Sequence, residues 1–422
     1  MRVQCVGSYQ LLFRAHQSSR YSIAALVGAL ENDDRLKDLQ VSAPAKLSQN
    51  IICQALSQGP TIIAHSVMST QLERVEKECR VVRQAFGDDI LMIAGGPHAS
   101  ARPKELLSTG FDYVVIGEGE KVLPELIWHL SSARDPSGIE GVVSRASTEW
   151  SVPKNLPKVV LDNYPPFALQ KNILGPIEVT RGCPFRCKFC STPYLTGGTV
   201  RHRSVEMVEY WLSRAVEERG FKRTWFLSPN ALSYGGKGRA PELDKLEQLL
   251  RTVTAIDGLE EVFFGSFPSE VRPEFVTKRA LEMMRHYVAN ETIQIGMQSA
   301  SDRVLKLANR HHTVDEAMTA IRTASDCGFI PHVDMIFGLP GEDKSELTRS
   351  IEMCEDLAKT GVKVHGHMFM PLPGSEFESM PPGRLDNESR SLLGELSRKG
   401  VLTGSWSTQE RLARQLSMNR TT

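Results

Sequence analysis

The sequence predicts an α/β protein, with an N-terminal doubly wound, Rossmann-like parallel sheet followed by a partial (β/α)6 barrel. Three observations predict it. Over the first ~130 residues, short β-branched runs alternate with longer stretches whose apolar residues recur every three or four positions. A second alternation of the same kind begins at Pro176. Between the two, residues 131–175 are rich in proline and polar residues. The expected organisation is 1–135 as the first domain, 136–175 as a linker, 176–375 as the barrel and 376–422 as a C-terminal extension. A chain of 422 residues suits two domains.

In the first half VQCVG, TIIAHSV, DILMIAGG and YVVIGEG read as buried parallel strands, and SIAALVGALEND and QLERVEKECRVVRQAF as the helices between. Doubly wound sheets bind ligands beyond the carboxyl ends of their strands. Those ends are expected to carry Ser8 and Tyr9, Ser66 to Thr70, the Gly95-Gly96-Pro97-His98 run and the Gly117-Glu118-Gly119-Glu120 run. Around GVVSRAS and EWSV a small hairpin is expected in the linker. In the second half GPIEVTRG, RTWFLSP, EVFFGSF, TIQIGMQ, IPHVDMIFG and VKVHGHMFM read as barrel strands. Six β/α units place active-site residues at strand ends.

Composition narrows the class. Hydrophobic content of 41% and charged content of 24% fit a soluble globular chain. Lys+Arg and Asp+Glu balance at 50 each, which excludes an overall basic footprint for nucleic acid. No apolar run approaches the ~20 residues of a membrane span. MRVQCVGSYQ lacks the order of a secretion signal. Eight cysteines in such a chain point to a reducing, cytoplasmic setting.

Three of those cysteines crowd into TRGCPFRCKFCSTP. Cys183, Cys187 and Cys190 form a C-x3-C-x2-C run directly after the first barrel strand. Three thiolates can hold an iron–sulfur cluster and leave one iron without a protein ligand. Structural zinc takes four protein ligands, often as two close pairs, and no second pair follows.

With Phe189 just before the last cysteine, this run resembles the radical S-adenosylmethionine (SAM) superfamily, and the resemblance covers residues 176–375. IGMQSASDRVLKLANRHHT resembles the fourth-strand segment of such barrels, DMIFGLPGE the fifth and MPLPGSEF the close of the sixth. In that family the open iron chelates the amine and carboxylate of SAM, and an injected electron cleaves it to a radical. The resemblance implies a 4Fe–4S cluster on the three cysteines and a low-potential electron donor. It places Phe189 near the adenine, and Ser266, Glu270, Gln298, Ser299 and Arg310 at the ribose or carboxylate of SAM. Asn230 and Tyr234 also follow a strand, although Tyr234 could equally be a packed aromatic. RHRS (201–204) reads either as a solvated basic knot or as an anion-orienting patch.

IAGGPHAS followed by DYVVIGEGE resembles the cobalamin-binding domain fused to many radical SAM enzymes. It implies cobalamin, carried as methylcobalamin, with Ser8, Tyr9, Ser66, Ser69, Gly95, Gly96, His98, Gly117, Glu118 and Gly119 as its contacts. The chain has no D-x-H-x-x-G, the motif that supplies a cobalt ligand elsewhere, so no protein histidine is expected on cobalt. His65 reads either as a neighbour of the corrin, like His98, or, the favoured reading, as a strand-end histidine with a hydrogen-bonded ring. Together the domains imply an enzyme, a cobalamin-dependent radical SAM methyltransferase acting on an unactivated carbon. PIEVTRGCPF, SPNALSYGG, GSFPSEVRPEFVT and GHMFMPLPG resemble an archaeal branch that C-methylates a glutamine in the α subunit of methyl-coenzyme M reductase. The implied partner is then a protein segment, with neither nucleic acid nor membrane involved. A small metabolite or lipid precursor is the alternative substrate. The tRNA methylthiotransferases, which bind a second cluster on three upstream cysteines, are a rival. Here Cys5, Cys53 and Cys79 lack that family's strand-end setting and read as packing thiols, as do Cys327 and Cys354.

Overall fold

In the computed structural model, which describes residues 8–146 and 158–418, the apolar runs of the first half become five parallel strands and one antiparallel edge. They are β1 (Gln10–Phe13), β2 (Gln40–Ser42), β3 (Thr61–Ser66), β4 (Ile90–Gly95), β5 (Tyr113–Val115) and β6 (Val142–Ser144), in the order β2-β1-β3-β4-β5-β6. All six residues of β3 are buried because helices cover both faces of the sheet. One face packs Leu12, Ile63, Met92 and Val114 with Ile52 and Val75, from helices Gln49–Gln58 and Leu72–Phe86. The other packs Leu11, Ile62, Ile93 and Val115 with Val27 and Leu126, from helices Arg20–Glu31 and Gly119–Ser131.

Two boundaries differ from the sequence reading. The described first strand is QLLF, and VQCVG lies outside the described residues. Ser8 and Tyr9 therefore precede β1 at its amino end, away from the ligand edge, and the Tyr9 hydroxyl donates to Leu130 O at 3.1 Å. The carboxyl end of β1 instead carries Arg14 and His16. The expected linker also folds onto the first unit, which runs to Pro176. Val142–Ser144 pairs with β5, and the Glu31 carboxylate accepts from the backbone N–H groups of Gln170 and Lys171 at 3.1 and 2.6 Å. EWSV, the expected second arm of the hairpin, lies outside the described residues.

The second unit, Ile177–Thr422, holds β7 (Ile177–Glu178), β8 (Thr180–Arg181), β9 (Arg201–His202), β10 (Arg223–Leu227), β11 (Glu261–Phe263), β12 (Thr292–Gln298), β13 (Ile330–Phe337), β14 (Lys363–Met368) and β15 (Leu402–Thr403). Parallel pairing gives the runs β11-β10-β7 and β12-β13-β14-β15. The segment after β11 joins them, because Gln294 N–H donates to Gly265 O and Val271 N–H to Gln294 O, at 2.9 and 2.8 Å. The six expected strands thus form an open barrel. On β13 Val333, Met335 and Phe337 are fully buried, while Asp334 takes the other face, where His367 Nε2 lies 3.5 Å from its carboxylate. β15 and helices Asn387–Arg398 and Trp406–Met418 complete this unit, and Gln409 Oε1 accepts from Met368 N–H at 2.8 Å. No helix among the described residues is long and apolar enough to cross a membrane.

After β13, Glu342 of the GLPGE turn accepts from Gly338 N–H at 2.7 Å, while its Oε1 is shielded from solvent with no partner. Burial pushes this carboxyl from 4.5 up to about 7. The folded state therefore holds the proton more tightly than the unfolded chain, and stability is lost as pH rises from 4.5 through 7. Glu342→Gln keeps an acceptor for Gly338. We expect it to match the parent near pH 4.5 and to exceed it by about 1–3 kcal/mol at about pH 8, in urea unfolding.

Candidate functional site

The cysteine loop leaves β8 through Gly182, whose φ is +94°. A Cβ at that position would overlap the carbonyl oxygen of Thr199. Cys183 N–H donates to Gly197 O at 3.1 Å and Cys190 N–H to Cys187 O at 3.0 Å, so the loop is pinned at both ends. A distant segment holds its middle. Lys188 N–H donates to Ala308 O at 3.0 Å, and Asn309 Nδ2 donates to Phe185 O and Arg186 O at 3.0 and 2.9 Å.

Cys187 is buried, and Cys183 and Cys190 are partly so. Burial pushes the thiols of Cys183 and Cys190 above their ordinary value, so their thiolates require a positive partner. A single zinc would gather its sulfurs to about 3.8 Å apart. Among the described residues, the only trio of His, Cys, Asp or Glu ligand atoms within 4.8 Å of one another excludes these cysteines. The spread thiols suit a larger polynuclear group.

Beside them lie two cations, Arg310, which the family resemblance placed at SAM, and Arg272, which the sequence reading did not single out. Arg272 stacks on the Phe185 ring, 3.7 Å to its centroid, and its Nη1 donates to Cys187 Sγ at 3.4 Å. Arg310 Nη1 donates to the same sulfur at 3.6 Å. Arg272 Nη2 and Arg310 Nε are buried with no acceptor. Unpaired buried guanidinium donors are costly, and they suit an anionic group at this spot. Glu270 faces them. Burial first, and then the charge of Asp334, hold its carboxyl above the ordinary range.

Of the residues expected at SAM, the structure brings Glu270, Gln298 and Arg310 together with Cys187. Gln298 adopts a φ of +75° at an irregularity in the β12–β13 register, and its Nε2 donates to Glu270 Oε1 at 3.1 Å. Phe189 packs at the edge of the cluster of Val304, Leu339, Phe369 and Phe377. Ser299 is fully buried, with its Oγ accepting from Ser301 N–H in a local turn. Ser266 is buried in the turn closed by Ser269 N–H to Ser266 O. Asn230 Oδ1 accepts from Arg272 N–H at 3.3 Å, while its Nδ2 is buried without a partner. Tyr234 proves to be a packed aromatic, its hydroxyl donating to Arg203 O at 2.8 Å. RHRS is no solvated knot, since Arg203 is buried and the His202 ring bridges Thr180 Oγ1 and Gly236 O.

In the first unit Ser66 and Gly95 end β3 and β4, and Ser69, Gly96, His98, Gly117, Glu118 and Gly119 follow the carboxyl ends of β3, β4 and β5. Gly96 turns at φ +94°, and Ser100 Oγ, which donates to Gly96 O, accepts from Gly117 N–H, both at 3.0 Å. This leaves a ledge of backbone with little side chain, the surface a broad, flat cofactor can approach. His98 Nδ1 lies 3.0 Å from Ser69 Oγ, while its Nε2 makes no hydrogen bond and lies 3.2 Å from a Glu105 carboxylate oxygen. Glu118 is turned inward and accepts from Val159 N–H at 2.8 Å. A Cβ on Gly119 would lie 2.8 Å from Leu26 Cδ2, so this glycine permits close helix packing. His65 contradicts the expected hydrogen-bonded ring, because neither of its nitrogens has a partner.

A B12 binding domain model matches residues 14–127, and a Radical SAM superfamily model matches residues 177–354. Residues 177–354 thus form a radical SAM domain, and a B12-binding domain precedes it. Such domains take a 4Fe–4S cluster, SAM and cobalamin, and the thiol loop, the unpaired guanidinium donors and the glycine ledge fit those groups. The fold is that of the radical SAM methyltransferase TsrM from Kitasatospora setae, solved with cobalamin and a 4Fe–4S cluster. That match has a TM-score of 0.64 and 14% identity, over 88% of this chain and 74% of that one. OxsB, a cobalamin-dependent SAM radical enzyme, matches with a TM-score of 0.66 and 17% identity, over 94% and 56%.

Among curated relatives, an uncharacterized protein of Methanopyrus kandleri is 27% identical over 72% of this chain and 66% of its own. The tRNA-2-methylthio-N(6)-dimethylallyladenosine synthase of Pelobacter propionicus is 28% identical over 56% and 52%. An uncharacterized methyltransferase of Pyrococcus horikoshii is 27% identical over 77% and 69%. The chain thus spans between about half and two-thirds of these relatives' lengths.

Proposed function

We propose that this radical SAM enzyme is a cobalamin-dependent C-methyltransferase acting on an unactivated carbon. The observation that carries this reading is the pairing of a three-thiol loop backed by buried guanidinium donors with a B12-binding domain in one chain. When bound, the cluster and SAM supply hydrogen-atom abstraction and the corrinoid supplies the methyl group. The protein's own part is placement and charge. Cys183, Cys187 and Cys190 would hold the cluster. Arg272 and Arg310 would offset its negative charge and that of a carboxylate beside it. Glu270 and Gln298 offer acceptors and donors for a ribose.

The substrate we assign is a glutamine in the α subunit of methyl-coenzyme M reductase, presented as an extended protein segment, with a low-potential electron donor as second partner. Support comes from the likeness of PIEVTRGCPF, SPNALSYGG and GHMFMPLPG to that archaeal branch. The anaerobically reconstituted chain, given reductant and SAM, should add one methyl to the glutamine-containing reductase peptide in mass spectrometry. A peptide left unchanged while a small-molecule candidate gains a methyl would move the substrate to that class.

Methylthiolation of tRNA is disfavoured by the upstream thiols. Cys53 is exposed on its helix and not the packing thiol expected, whereas Cys79 is buried in the core with Sγ donating to Thr109 O at 3.1 Å, and its thiol is pushed up to about 11 by burial. Cys5 lies outside the described residues.

A further inference from the structure

The first unit contains a second cluster of ligand-type side chains, with no sulfur in it. Arg14 and His16 follow β1, His65 lies near the end of β3, and Glu78 projects from helix Leu72–Phe86. Strand alternation puts His65 on the face of Ile63, toward that helix, and Ser66 on the opposite face, where its Oγ lies 3.0 Å from Ser22 Oγ. One ligand atom from each of His16, His65 and Glu78 lies within 4.8 Å of the others.

The two imidazoles are 5% and 2% exposed, and His16 Nε2 and both nitrogens of His65 have no hydrogen-bond partner. Buried polar groups in folded chains are nearly always satisfied, so three such nitrogens at one spot require a reason. Protonation is not that reason. Burial, followed by neighbouring positive charge, holds His16 at about 4 and His65 at about 3, so at neutral pH both rings present lone pairs.

The third member is held in place. Arg14 Nε donates to both oxygens of Glu78, at 3.1 and 3.0 Å, and Nη2 donates to Oε1 at 2.7 Å. Arg14 is itself anchored through Nη1 to Ala15 O at 2.9 Å and to Ala45 O. A carboxylate accepts about four hydrogen bonds or ligands, so this grip leaves capacity while fixing its orientation, as outer partners do around ligating carboxylates. Arg14 and Arg74 are the cations nearby and weaken affinity for a cation, so the two neutral nitrogens must carry most of the binding.

We infer that His16, His65 and Glu78 form a binding site for one divalent transition-metal ion of the zinc class, independent of the cysteine loop. Two imidazoles and a carboxylate are a ligand set that zinc uses in proteins, with bonds of about 2.0–2.2 Å. Binding would draw the three ligand atoms to about 3.4 Å apart, a side-chain adjustment that leaves the strands in place. The ion would tie β1, β3 and helix Leu72–Phe86 together, and its binding energy would add to the stability of this unit.

The test uses the full chain with its cluster reconstituted, so that the cysteine loop is occupied. After chelation of loose metal, the protein is dialysed against zinc, and metal per chain and melting temperature are measured. The parent should retain about one zinc and melt higher with zinc than without it. His16→Gln and His65→Gln should lose that zinc and the zinc-dependent rise, and Glu78→Gln should weaken binding at least about tenfold. Cobalt(II) in place of zinc should give visible ligand-field bands without thiolate charge transfer. This readout on the parent decides even if a variant fails to fold. The inference is overturned if the parent takes up no zinc, or if both histidine variants take up as much as the parent. It is equally overturned if they alter only the nitrogen splitting in the corrinoid's electron spin resonance, since the rings would then serve the corrin.

Discussion

Replacing Cys187 by alanine is expected to reduce 5′-deoxyadenosine formation to background while leaving corrinoid binding near the parent level. Cys187 is the buried member of the trio, with Arg272 and Arg310 donating to its sulfur at 3.4 and 3.6 Å. Without that sulfur the cluster keeps only two thiolates, and the guanidinium groups face a space with no anion, a cost of about 1–3 kcal/mol. The corrinoid should be spared because its domain is a separate compact unit. Cys354→Ala provides the contrast. That thiol is fully buried within helix Lys344–Lys359, donates to Ser350 O at 3.1 Å and is pushed up to about 12 by burial. Its loss should cost about 1 kcal/mol of stability and leave SAM cleavage intact. Chromatographic assay of reductive SAM cleavage separates the two. Cleavage at the parent rate by Cys187→Ala would remove the cluster from these cysteines.

Gly182→Ala should be nearly as damaging, although it removes no ligand. At φ +94° an L side chain is strained, and the new Cβ would collide with backbone, the carbonyl oxygen of Thr199, which cannot swing aside as a side chain can. The chain on either side is hydrogen-bonded, so relief must come from moving Cys183. A loss of about 2–4 kcal/mol and a sharply reduced cluster content are expected, by calorimetry and by visible absorbance after reconstitution. Gly198→Ala, where the new Cβ would meet only Cys183 O at 4.0 Å, should be close to neutral.

The division between what could be read from the chain and what could not follows contact range. C-x3-C-x2-C is contiguous, and a strand followed by that run already places three thiols at a barrel mouth. Arg272 meets Cys187 from 85 residues away and Arg310 from 123, and no periodicity encodes such pairings. Asn309, the loop's anchor, sits in LANRHHT, which was noted only for its family likeness. Strand limits were the weakest point. Both VQCVG and QLLF are apolar enough to pair, and taking the earlier run put Ser8 and Tyr9 at the wrong end of the strand. Proline content made residues 136–175 look like a linker, yet β6 and the Glu31 contacts bind them to the first sheet. The unpartnered nitrogens of His65 were invisible for the same reason, because satisfaction of a buried group depends on neighbours from other elements.

The most direct measurement is a cofactor count on the chain after anaerobic reconstitution with iron, sulfide and cobalamin and removal of excess reagents. The expected result is about four iron, about four sulfide and about one corrinoid per chain, with cluster absorbance that bleaches on reduction. Protein that retains neither iron–sulfide nor corrinoid would contradict the assignment of both sites.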